Sequence, residues 1–100
     1  MTMKNIAARI AAQNGISSKT AERLIEAEAN LIKQYHRQLN KLSTKEIAQR
    51  RYTEDPSSSM LAAASAPLIL YVIEENETAT PTQKAAAQEY KAALNAVELE

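Results

Sequence analysis

The side chains able to do chemistry in this chain are few, and their spacing argues for binding and not for bond-making. His36 is the single histidine, and the residues one helical turn away on either side, Ile32 and Asn40, supply no second metal-ligand type. A metal centre needs several ligands converging on one point, so His36 reads as a rim or partly buried structural histidine and not as a ligand or general base. The serines lack the glycine-flanked turn that presents a nucleophile. A chain with one glycine also has no loop to cradle a phosphate. Cysteine is absent, which excludes disulfides and thiolate metal sites. The paired acids Glu74-Glu75 fall in an expected connector and read as solvated charge. The expectation is a non-enzyme with no cofactor, no metal and no small-molecule substrate.

Charge is the more informative feature. The 100 residues carry 12 Lys/Arg and 12 Asp/Glu, but residues 1–52 hold ten bases and four acids, whereas 53–100 hold two bases and eight acids. The halves are therefore +6 and −6. Such a field fits a basic half facing nucleic acid or an acidic protein surface. It fits equally well two halves folded against each other, or a homodimer paired head to tail. Ser17, Ser18, Lys19, Arg23 and Arg9 are the candidate nucleic-acid contacts. Arg50 and Arg51, beside Tyr52, can clamp a phosphate or carboxylate, although a solvated helix end that favours cations explains them too. Glu54, Asp55, Glu74, Glu75 and Glu77 are the candidate contacts to a protein partner.

These residues must be positioned by helices. Nineteen alanines, no Trp and no Phe give a chain with high helix propensity and little area to bury. Met3, Ile6, Ala7, Ile10 and Ala11 make one apolar face of a helix from about Lys4 to Gln13. Asn14-Gly15 ends that helix, Ile16 anchors the corner, and Ser17 or Ser18 caps the next. The stripe Leu24, Ile25, Leu31, Ile32, Tyr35, Leu39 and Leu42 then predicts one long helix over about 18–42, with Glu26, Asn30, Lys33, Arg37 and Lys41 opposite. Ser43 and Glu46 have the spacing of a capping box for a short helix to about Tyr52. The segment 53–59 reads as the loop between the basic and acidic halves, and Asp55-Pro56 as a helix start. Pro67 must kink or restart the helix that follows. Leu68–Ile73, apolar on all sides, reads as the central buried segment. Thr80-Pro81-Thr82-Gln83 caps a last helix whose inner face is Ala86, Tyr90, Ala93, Leu94 and Val97. The apolar window Met60–Ile73 is too short to span a bilayer. The expected architecture is all-α, a compact single-domain bundle of about five helices over 1–100, in a soluble cytoplasmic protein of a bacterial host cell.

The stretch from Ile10 to Ile25, with its Ala, Gly15, Ile16, Ser17 and Thr20, resembles the DNA-reading helix-turn-helix of LacI-type repressors. The resemblance implies that Ser17, Ser18, Lys19 and Arg23 face the major groove or its phosphates, with Arg9 and Lys4 flanking the backbone. Asn14 stands where that motif has a small apolar residue. The last helix, Thr80-Pro81-Thr82-Gln83 followed by Tyr90-Lys91-Ala92-Ala93-Leu94, is similar to the closing helix of small phage tail-assembly proteins. In size, helicity and lack of catalytic groups the chain resembles several anti-CRISPR proteins. Three functions follow as expectations: DNA binding through the helix-turn-helix, inhibition of a nucleic-acid-handling complex by covering its surface, or service as a phage tail-assembly chaperone.

Overall fold

A computed structural model describes residues 2–36, 39–53 and 66–100, and the described residues form five helices and no strand. The chain is an all-α bundle. The expected loop over 53–59, the helix start at Asp55-Pro56, and the acids Glu54 and Asp55 fall at or beyond the edge of the described residues.

Helix α1 (Met3–Asn14) is capped by the Thr2 hydroxyl, which accepts from Asn5 N at 3.2 Å. Its inner face is Met3, Ile6, Ala7 and Ala11, the spacing read from sequence. Gly15 closes it in the left-handed region, φ 65°, where a Cβ would be strained. Ser17 caps helix α2 (Ser18–Tyr35) by accepting from Thr20 N at 3.2 Å. The α1–α2 corner therefore forms from local signals alone.

Helix α2 is the axis of the bundle, packing against α1, α3, α4 and α5. Ala21, Ile25, Ala27, Ala29, Leu31 and Ile32 are buried on it, so it is enclosed over most of its circumference. It does not run to Leu42. His36 is extended (φ −99°, ψ 100°), and Leu39 N and Leu42 N then close short turns onto His36 O and Leu39 O. A helix over 18–42 would be about 37 Å long, whereas α5, its antiparallel neighbour, has 18 residues and spans about 27 Å. The extra turns would leave Leu39 and Leu42 without a core to enter. Turning at His36 buries Leu39 and packs Leu42 on the core, because a three-residue spacing serves a tight turn as well as a helix.

Helix α3 (Thr44–Thr53) starts on Ser43, whose hydroxyl accepts from Glu46 N at 3.1 Å, and buries Ile47 and Ala48. Helix α4 (Ala66–Glu75) carries Pro67 in its first turn, where no N–H is missed. It is not the central buried segment. Ala66, Ile69 and Ile73 face inward, while Leu68 is 58% and Tyr71 63% exposed. The reason is stoichiometric: α2 already occupies the centre, and a peripheral helix has one inner face however apolar its sequence. Helix α5 (Pro81–Glu98) opens with a complete capping box between Thr80 and Gln83. It buries Ala86, Ala87, Tyr90 and Ala93. Small side chains on α2 and α5 let the two axes approach closely.

Candidate functional site

The α1–α2 corner is exposed, but acids from the end of the chain occupy much of it. The Glu100 carboxylate lies on the first turn of α2. It accepts from Ser17 N (3.0 Å), Ser17 Oγ (2.9 Å) and Thr20 Oγ1 (2.8 Å). Those bonds hold Glu100 below the ordinary carboxylate range, the Ser17 amide contributing most. An anion at this position is favoured by the free N–H groups and positive end of the helix. One turn on, Arg23 Nε meets Glu89 Oε1 of α5 at 2.9 Å, with both side chains about half exposed.

Ser18 and Lys19 remain exposed at the corner. Lys19, Glu22, Arg23 and Glu26 line one open groove with Thr20 and Ala96, two charges of each sign. Arg9 is placed elsewhere: its Nη2 reaches Tyr52 O at 3.5 Å, at the end of α3. Lys4 shares a depression with Glu22 and Lys45. The structure thus brings Ser17, Ser18, Lys19 and Arg23 to one helix end, and sends Arg9 to α3.

Arg51 is half-buried. Its guanidinium is in ion contact with Glu28 Oε1, and its side chain is 26% exposed against 13% for Glu28. It also lies 5.9 Å over the Tyr52 ring. Tyr52 Oη donates to the same carboxylate oxygen at 3.0 Å. Burial pushes the Tyr52 hydroxyl up from 10.0 to about 12, with Glu28 adding to the shift and Arg51 opposing it. Burial works against the Arg51 charge, but Glu28 and Tyr52 hold its pKa above the ordinary value. Tyr90 of α5 is raised as well, mainly by burial and then by Glu28. The sequence reads Arg51 as part of a clamp or a solvated helix end; its partner in the fold is Glu28, one of the four acids of the basic half. The signal was present, since Glu28 stands three residues after Ile25 and four before Ile32, on the buried stripe.

In the acidic half, Glu74 pairs with Lys91 Nζ at 2.9 Å. Glu75 and Glu77 are exposed and have no basic partner among the described residues. His36 is half-buried, edge-on to Tyr35 at 5.0 Å between ring centroids, and its Nε2 has no hydrogen-bond partner among the described residues. Among the described residues there is no group of three His, Asp or Glu able to hold a metal, and no helix is long and apolar enough to cross a membrane. Compared with protein-family models, curated proteins and solved structures, the chain has no match.

Proposed function

We propose that this chain is a non-catalytic binding protein that acts by covering a basic surface on a protein partner, of the kind nucleic-acid-handling complexes present. The observation that carries this reading is the carboxylate of Glu100 on the first turn of α2, where it takes the N–H and hydroxyl donors that a phosphate would need. Glu89 engages Arg23, the side chain suited to a bidentate contact with guanine. Glu22 and Glu26 on the same groove would face the phosphate backbone. The exposed acids Glu75 and Glu77, by contrast, meet no base among the described residues and suit a basic partner.

Direct DNA binding is the second reading, favoured by the exposed Ser18 and Lys19 at the α1–α2 corner. Fluorescence anisotropy of random-sequence duplex DNA, at about 50 mM and about 200 mM salt, separates the two. The protein-covering reading expects no binding at either salt. Micromolar binding that weakens steeply with salt, and is lost in Lys19→Ala/Arg23→Ala, would overturn it in favour of DNA.

A further inference from the structure

We infer that the outer face of α4 is a docking helix for a protein partner whose apolar groove ends in Lys or Arg side chains. Leu68, Tyr71, Val72 and Glu75 stand at i, i+3, i+4 and i+7, the spacing of a helix laid into a groove. Leu68 and Tyr71 are 58% and 63% exposed, and Val72 is partly exposed. The inner face of the same helix, Ala66, Ile69 and Ile73, already anchors it to the core. The outer residues can therefore be covered without unfolding anything.

Charge decides the occupant. Residues 66–83 contain Glu74, Glu75 and Glu77 and no Lys or Arg. Glu74 is matched by Lys91 of α5, which leaves Glu75 at the end of the apolar row and Glu77 just beyond it. A symmetric contact of α4 with α4 of a second copy would bring its own acids to the interface with no base from α4 to meet them. An anionic membrane would repel the same end. A groove with basic residues at one end matches both the apolar row and the charge that terminates it. This inference rests on the protein-covering reading above and names its surface.

The test uses the full chain, isotope-labelled, and a synthetic amphipathic helix of about 14 residues containing only Leu and Lys, with a Leu/Glu twin as control. Binding of the Leu/Lys peptide should shift the NMR signals of Leu68, Tyr71, Val72 and Glu75. Leu68→Ser/Tyr71→Ser should weaken it about tenfold or more while leaving the unfolding midpoint unchanged. Glu75→Gln/Glu77→Gln should weaken it several-fold at low salt and little at high salt. Equal binding of the Leu/Glu twin, shifts centred on Glu22 and Glu26, or undiminished binding by the Leu68/Tyr71 variant would overturn the proposal. So would a dimer in sedimentation equilibrium that this variant dissociates, because the face would then belong to a second copy. DNA binding alongside intact peptide docking would overturn the protein-covering function and leave this surface standing. Absence of both would overturn this surface alone.

Discussion

Glu28, Arg51 and Tyr52 form a half-buried polar cluster at the edge of the helical core, so each group depends on the others for its charge or its hydrogen bond. Removing one partner strands the other in a partly dry site. Glu28→Ala should cost about 2–3 kcal/mol in urea unfolding, whereas Glu28→Leu/Arg51→Met should return to within about 1 kcal/mol of the parent. A double variant no better than the single one would mean that packing, not the stranded charge, sets the cost. Tyr52 adds a pH signature. Its pKa is raised from 10.0 to about 12, so the neutral phenol is the form the fold favours. The associated stability is complete below the unfolded value near 10 and is lost as pH rises towards 12. In a spectrophotometric tyrosine titration, Tyr52→Phe should remove the component that ionises last. Loss of a component near 10.0 instead would show that burial beside Glu28 does not govern this hydroxyl.

At the scale of elements, the bundle is joined where helices end. Gln83 serves two helices at once: its Oε1 accepts from Thr80 N at 3.0 Å in the α5 capping box, and its Nε2 donates to Gln34 O near the end of α2 at 3.1 Å. That second bond satisfies a carbonyl in the last turn of α2, at the point where the long helix expected from the apolar stripe stops. Gln83→Ala should destabilise the chain by about 1–2 kcal/mol. Gln83→Glu separates the two roles. Glutamate satisfies a capping box as well as glutamine, but it cannot donate to Gln34 O and adds negative charge at a helix C-terminus. A Gln83→Glu variant as stable as the parent would show that only the cap on α5 counts.

Over the whole molecule, two exposed contacts join residues far apart in the sequence. Ser17 and Glu100 are separated by 83 positions, and Arg23 and Glu89 by 66, yet each pair is in hydrogen-bond contact. The basic and acidic halves are thus matched in part within one chain, which is one of the explanations the charge asymmetry left open. Glu100 is held below its ordinary value of 4.5, so its contribution is complete above that value and is lost as pH falls through the lower, folded-state value. The site is fully exposed and screened by salt, so the effect is small. Between about pH 6 and pH 3, the unfolding midpoint of Glu100→Gln should fall less steeply than that of the parent. Parallel curves would show that Glu100 does not hold the α2 terminus in solution.

What the sequence determined by itself is everything whose cause lies within a turn or two of chain. Gly15 and Ser17 set the corner, Ser43 and Thr80 set two helix starts, and the i, i+3, i+4 spacing of Met3, Ile6 and Ala7 set an inner face. The tertiary structure decided which apolar residues had a core to enter and which acid each base would meet. Leu39 and Leu42 kept their contacts by leaving the helix, because α5 is too short to cover one that long. Leu68 and Tyr71 stayed outside because α2 had taken the centre. Arg51 went to Glu28 and Ser17 to Glu100, choices made by the packing of helices remote in sequence. Local spacing encodes propensity, capping and faces; it does not encode which faces and charges the bundle leaves over for a partner.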